Sequence, residues 1–402
     1  MADFGAEVDA FRAEARDWLA ENFPESLAFT ARSPMSGAVM PEPTPDSELW
    51  EQRMGQKGWG VPTWPQAYGG GGLSPAQAKV LAEEMARIGA YNPIGGMGVM
   101  MFGPTLLEYG TEAQKAEHLP YIARGERRWC QGFSEPGAGS DLAGLQTRAE
   151  DKGDYWLING QKIWTSGAHH ADWCFCLTRT DPTKKHEGIS FILIDMRTPG
   201  VDPRPIRLIN GASHFCEVFF TDVRVPKENL VGPLNGGWTI AKRLLQHERN
   251  GLAAAAGNAR AEAPVQLPEL ARRYVGVDGQ GRIADPDLRH RVILFEMDLK
   301  AFQQTSARVA AEAKSNRGPS AATSIMKNVG SFLRRDGAEL TAEIMGFQGL
   351  GWEGEAFTPD ELAATRNLFY SKAGGIAGGS QEVQNNIIAK RILGLPDTTR
   401  SS

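Results

Sequence analysis

Three zones separate by the period of their apolar positions. In the first, residues 1–125, the spacing is helical: Phe4, Val8, Phe11, Ala15 and Trp18 recur every three or four residues, and Pro24 lies beyond the end. A loop rich in proline follows (Pro34, Pro41, Pro43, Pro45), and Asp46-Ser47 predicts the cap of a helix carrying Leu49, Trp50 and Met54. Tyr68 leads into Gly69 to Gly72. Ser74-Pro75 then pairs an N-cap with proline at the first helical position, which predicts a helix through Met85. In the second zone, 126–235, short apolar runs alternate with turn signals: Trp129–Phe133, Tyr155–Ile158, Trp173–Leu177, Ile189–Ile194 and Cys216–Phe220. Asn159-Gly160 predicts a hairpin between Trp156-Leu-Ile and Lys162-Ile-Trp. The third zone, 236–395, is helical again, with a loop at Arg282 to Pro286 and one long helix from Asp287 to Ser315. Residues 396–402 read as a polar tail. The pattern predicts a mainly α chain with a β insert, an antiparallel β domain clamped between two helical domains.

Composition narrows the function. The chain has 402 residues, enough for two or three domains at about 150 residues each. With 43 Lys+Arg against 48 Asp+Glu, no basic surplus exists to neutralise phosphates, which excludes broad nucleic-acid or anionic-membrane binding. The longest uncharged run, Ile88 to Leu107, is broken by glycines and by Pro93 and Pro104, so stable membrane insertion is not expected. The acidic start carries no targeting pattern, and four cysteines are too few for a disulfide scaffold. Cys174 and Cys176 alternate in a strand-like run and should face one side of it, as core thiols rather than metal ligands. A reducing, cytoplasmic setting is expected.

After the first predicted strand comes Phe133-Ser-Glu-Pro-Gly-Ala-Gly-Ser-Asp141, whose glycines permit close backbone approach to an anion or a ring edge. No P-loop lysine follows, and the dinucleotide fingerprint is not matched. On spacing alone, a structural turn and a ligand loop both stay open. The segment resembles the signature of the acyl-CoA dehydrogenases. Further similar stretches run in order: Gly58-Trp-Gly-Val-Pro-Thr-Trp-Pro65, Gly110-Thr-Glu-Ala-Gln-Lys115, Asn159-Gly-Gln-Lys-Ile-Trp-Thr-Ser166, Gly378-Gly-Ser-Gln-Glu-Val-Gln384 and Ile388-Ala-Lys-Arg-Ile-Leu-Gly-Leu-Pro396.

That resemblance implies a helical domain, a β domain and a C-terminal four-helix bundle, with FAD as cofactor and an acyl-CoA thioester as substrate. It implies α,β-dehydrogenation, with electrons passed to electron-transfer flavoprotein or a similar acceptor. By the same resemblance Gln131, Phe133 and Ser134 line the flavin, with Gly139 and Ser140 near flavin and substrate. Trp164 packs on the ring, Ser166 offers it a hydroxyl, and Ser380 and Gln381 approach from the C-terminal domain. Without the resemblance, Trp164 reads first as a core residue, since buried aromatics usually just pack.

The departures from the family pattern are informative. Many members carry the catalytic Glu at the position of Gly378, where this chain has none. A second family solution places it on the first long C-terminal helix, which points to Glu248. Ala241, Leu244, Leu245, Leu252 and Ala255 share the face of Glu248 at helical spacing, and a carboxylate in an apolar stripe is a site candidate. His247, Arg249, Ser140 and Gly378 are candidate substrate contacts; Glu382 is a rival carboxylate better suited to a structural role. Glu343 stands where many members have a Gln near a neighbouring subunit's FAD diphosphate, and a carboxylate there would repel. A homotetramer and a mixed tetramer with a related chain are both implied. The alternatives are a half-site, non-catalytic partner subunit and a flavin oxidase or monooxygenase on the same scaffold. The open position at 378 suggests a branched or bulky acyl group, such as the steroid side chain that one branch of the family acts on.

Overall fold

A computed structural model of the chain describes residues 4–30, 43–258, 266–315 and 322–396, without side chains for 4–6, 248–258, 310, 312–315 and 322. Five helices come first: α1 (Phe4–Asn22), α2 (Pro45–Lys57), α3 (Pro75–Arg87), α4 (Gly103–Tyr109) and α5 (Glu112–Ala123). Eight strands follow: β1 (Trp129–Gly132), β2 (Arg148–Asp151), β3 (Tyr155–Ser166), β4 (Trp173–Arg179), β5 (Ile189–Asp195), β6 (Val201–Ile206), β7 (Phe215–Pro226) and β8 (Leu230–Val231). The rest is helical: α6 (Gly237–Asn258), α7 (Leu267–Tyr274), α8 (Pro286–Ser315), α9 (Ala322–Met345), α10 (Pro359–Ser371) and α11 (Gln381–Ile387). Mainly α with a β insert is thus the architecture.

Capping chemistry sets several boundaries. Ser74 caps α3, Thr111 caps α5 and Thr358 caps α10, each in a reciprocal box with the residue three positions on. The cap of α2 is Thr44 rather than Asp46-Ser47: Ser47 N donates to Thr44 Oγ1 at 3.2 Å and Thr44 N donates to Ser47 Oγ at 2.8 Å. Pro45 takes the first helical position, so the cap must be the residue before it.

Contacts divide the chain into two units, one holding α1–α6 and all eight strands, the other Leu208–Ala212 and α7–α11. In the first, the strands run in the order β6-β7-β3-β2-β4-β5-β8, with β1 beside β4. The expectation of an antiparallel domain holds for most neighbours, but β1 and β2 both pair with β4 in parallel. Strand alternation sorts β4 into two cores. Trp173, Phe175 and Leu177 join α4, α5 and α6 through Leu106, Leu119 and Leu244. Cys174 and Cys176 face the other way, with Cys130, Ile158 and Cys216, and all four cysteines are free and buried.

Asn159-Gly160 is not a hairpin. It lies inside β3, where the register to β7 shifts between Ile158 and Gly160. A bulge and a two-residue turn use the same residue types, and here tertiary contacts decide between them. Asn159 exchanges two hydrogen bonds with Asp222, its Nδ2 donating at 3.0 Å and its Oδ1 accepting at 2.9 Å. A Cβ on Gly160 would stand 2.5 Å from Thr147 Oγ1, so only glycine fits.

In the second unit, Leu267, Ala271, Leu288, Val292, Leu340 and Ile344 form the core of α7, α8 and α9.

Candidate active site

The site grows from two segments of the first unit that meet without a strand ladder between them. One is the exit of β1 and the glycine-rich loop; the other is the C-terminal end of β3. Ile163 N donates to Ser134 O at 2.9 Å and ties them together. The register of β3 against β7 shifts a second time between Lys162 and Thr165, and within that bulge Trp164 adopts φ 59°. A β-strand places large side chains alternately inside and outside; this bulge re-aims one outward. The Trp164 indole is 55% exposed and braced edge-on by Phe215, with ring centroids 6.1 Å apart. A positive φ on an aromatic residue is costly, and such strain concentrates at functional sites. The core-residue reading of Trp164 is therefore wrong.

In the loop, Gly137 and Gly139 have no atom within 4 Å of where a Cβ would stand, so it presents bare backbone to open space. Among the described residues, no hydrogen bond uses the side chains of Gln131, Ser134, Ser140 or Ser166. Phe133 differs: its ring is 4% exposed and packs edge-on to Phe175 and Phe191, so this residue can offer a ligand only main chain. An exposed, braced indole, bare glycine backbone and unspent polar side chains fit a large planar group with polar edges, as a flavin is.

Beneath the loop lie charged residues that the sequence reading missed. Glu135 and Lys162 are buried and paired, Nζ to Oε1 at 2.7 Å. Burial pushes the Glu135 carboxyl up, but Lys162 and the amides of Gln146 and Thr147 more than offset it and hold it below the usual range. Arg179 reaches the far end of the loop and donates to Ala143 O at 2.6 Å and Leu145 O at 3.3 Å. Burial lowers its pKa, and no carboxylate bonds it. The signal of these residues in the sequence is weak: Lys162 stands among polar residues of β3, and Arg179 only ends the apolar run of β4.

The helix α6 packs on the same core through Ile240, Ala241 and Leu244. The side chains of Glu248 and Arg249 lie outside the described residues. His247 Nε2 is buried and lies 3.2 Å from Glu108 Oε1 without a hydrogen bond, and Arg243 donates to the same carboxylate at 2.7 Å. Burial lowers the His247 pKa, Glu108 works against that, and Arg243 adds to it.

In the second unit, Gly378 has φ 67°, is exposed, and has open space where a Cβ would be. The Ser380 hydroxyl is engaged as N-cap of α11, accepting from Val383 N at 3.4 Å, which leaves it less to offer a ligand than expected. Gln381 is half-buried and Glu382 is exposed. Glu343 is held by Arg291 through two bonds of 2.5 and 2.6 Å, so its charge is compensated within the chain.

Three family models match in order: the acyl-CoA dehydrogenase N-terminal domain over residues 5–126, the middle domain over 130–223 and the C-terminal domain over 235–393. The chain belongs to the acyl-CoA dehydrogenase family. Among its relatives, the acyl-CoA dehydrogenase IpdE1 of Mycobacterium tuberculosis is 37% identical over 396 residues, covering 97% of this chain and 98% of that protein. Two solved structures superpose over nearly the whole chain. The Tcur3481-Tcur3483 steroid ACAD is 30% identical, covers 98% of each chain and gives a TM-score of 0.74. The ChsE4-ChsE5 complex from Mycobacterium tuberculosis is 29% identical, covers 99% of this chain and 100% of that one, and gives 0.73. As an acyl-CoA dehydrogenase the chain is an oxidoreductase acting on CH–CH groups. Acyl-CoA dehydrogenases are flavoproteins, which agrees with the chemistry of the two walls. Among the described residues, no helix is long and apolar enough to cross a membrane, and no cluster of His, Cys, Asp or Glu could hold a metal.

Proposed function

We propose that the chain catalyses FAD-dependent α,β-dehydrogenation of a branched or bulky acyl-CoA, with Glu248 as the base. The observation that carries the reading is the Trp164 bulge, which turns an indole outward on the strand tied to the glycine-rich loop by Ile163 N to Ser134 O. Gln131, Ser134, Ser140, Ser166 and the main chain of Phe133 and Gly139 would hold the cofactor; Ser380 and Gln381 are further candidates by family resemblance. When bound, FAD supplies the acceptor for the hydride that leaves Cβ.

The protein's task is the proton. A Cα–H beside a thioester ionises only if hydrogen-bond donors stabilise the developing enolate oxygen and a base stands ready in a dry pocket. Glu248 follows Ala241 and Leu244, which are buried on the same helix. A carboxylate held in a dry pocket beside Cα would be suited to accept a proton from carbon. With no side chain at Gly378, room remains for substitution near Cα and Cβ.

A steroid side chain is the favoured acyl class, supported by the relative named as a steroid ACAD. A mixed tetramer with a related chain is supported by the relative described as a two-protein complex. The Arg291–Glu343 pair favours it too, because it occupies residues that could otherwise meet a neighbour's diphosphate. Electron-transfer flavoprotein or a similar carrier would take the electrons. The deciding experiment mixes the purified protein, alone and with a candidate companion chain, with a panel of acyl-CoAs. Yellow protein that bleaches with bulky acyl-CoAs supports the reading. Colourless protein in both settings, or bleaching confined to short straight chains, removes it. Rapid peroxide formation without an added acceptor would instead indicate an oxidase.

A further inference from the structure

The segment 133–135 and strand β3 have no sheet pairing to hold them together, since β1 pairs with β4 and β3 pairs with β2 and β7. Among the described residues, their hydrogen-bonded connections are Ile163 N to Ser134 O, the buried ion pair beside it and Lys162 Nζ to Phe133 O. Each partner of that pair is adjacent to one wall. Glu135 follows Ser134; Lys162 precedes Trp164 by two residues.

Both side chains are fully committed. Glu135 Oε1 accepts from Lys162 Nζ at 2.7 Å and from Thr147 N at 2.9 Å, while Oε2 accepts from Gln146 N at 2.6 Å. The carboxylate thereby closes the glycine-rich loop at its base, joining residue 135 to residues 146 and 147. Lys162 Nζ also donates to Phe133 O at 3.2 Å. An apolar pair of similar volume would be as stable here or more so, because burying two charges costs their hydration. What the apolar pair could not supply is this set of directional bonds.

We propose that Glu135 and Lys162 are positioning residues that lock the glycine-rich loop and the Trp164 bulge into one rigid cofactor cradle. The inference rests on the reading of those two walls as the FAD site. Stability and cofactor binding then separate in a variant set. Glu135→Gln and Lys162→Met each leave a buried charge alone and lower the melting temperature. The double variant leaves no buried charge and regains part of it. The cradle is not regained, because the ion pair, the Lys162 bond to Phe133 O and one of the two amide bonds to residue 135 are gone.

The test titrates FAD into flavin-depleted protein, read by flavin fluorescence, at a temperature well below every melting transition. Hydrogen exchange is followed in peptides spanning 136–147 and 163–166. Each folded single variant, and the double, should bind FAD at least about tenfold more weakly than the parent, a difference of about 1.4 kcal/mol. Exchange should rise in both peptides together while the strands β4 and β5 stay protected. FAD affinity that recovers along with the melting temperature in the double variant would overturn the inference and leave a purely structural ion pair. So would affinity within about threefold of the parent in every folded variant. Should Lys162→Met fail to fold, the near-isosteric Glu135→Gln carries the same measurements. A parent chain that binds no FAD, alone or with its companion, removes the underlying reading and the inference together; a parent that binds while the variants are unaffected removes the inference alone.

Discussion

Arg291 grips Glu343 in a two-bond fork across α8 and α9, both groups about half exposed. The carboxylate that looked repulsive in the sequence is covered by a cation from a neighbouring helix. Arg291→Ala uncovers it. FAD content of the purified protein should fall in Arg291→Ala and return in Arg291→Ala/Glu343→Gln. Thermal stability should change by no more than about 1 kcal/mol in either, as is usual for an exposed pair. Equal flavin content in parent and both variants would show that the pair lies away from the cofactor.

Glu248→Gln should keep its FAD and lose at least ~10² in turnover, the lower end for removal of a general base. Near-normal turnover would refute the assignment. Gly378→Leu addresses specificity. At φ 67° any side chain costs about 1–2 kcal/mol of backbone strain, and the new chain projects into open space. Bulky acyl-CoAs should lose more kcat/KM than butyryl-CoA; an equal loss would argue against a role of this position in substrate size.

Gly160→Ala tests the bulge in β3. The added methyl would stand 2.5 Å from Thr147 Oγ1 and 2.6 Å from its Cα, so strand or loop must shift. A cost of about 1–3 kcal/mol is expected by denaturant titration, typical for forced overpacking. A neutral substitution would mean that the close approach relaxes freely.

His118 makes stability depend on acidity. It is 1% exposed, edge-on to Trp129 and Trp173, and Arg127 Nη1 lies 2.7 Å from its Nδ1. Burial, then Arg127, pulls its pKa down from 6.5 to about 4. The unfolded chain therefore takes up this proton first. The stability tied to neutral His118 is complete above pH 6.5 and is lost as pH falls from 6.5 toward 4. At 1.36 kcal/mol per unit the loss is about 3 kcal/mol. His118→Phe should flatten the slope of unfolding free energy between pH 7 and pH 4.5. An unchanged slope would assign the acid sensitivity elsewhere.

Much of the fold was legible because apolar periodicity and capping residues act locally. The helical spacing of Phe4 to Trp18, Ser74-Pro75 at the start of α3, and Asp287 to Ser315 within α8 all match the structure. Asn159-Gly160 misled because a turn and a bulge draw on the same conformations; Thr147 and Asp222, distant in sequence, decide between them. In the site, the glycine-rich loop and Trp164 stood out by motif. Phe133 did not behave as its position suggested, since ring packing claims its side chain. Glu135, Lys162 and Arg179 were passed over because their work is done on backbone atoms, which leave no trace in side-chain patterning.

The four thiols sealed among β1, β4 and β7 give the protein a built-in clock. A small alkylating reagent such as iodoacetamide can reach Cys130, Cys174, Cys176 or Cys216 only when the sheet opens. The rate of labelling in native buffer therefore reports the opening of the β domain by itself. Fast modification of the folded protein at neutral pH would show that this part of the chain breathes far more than its packing implies.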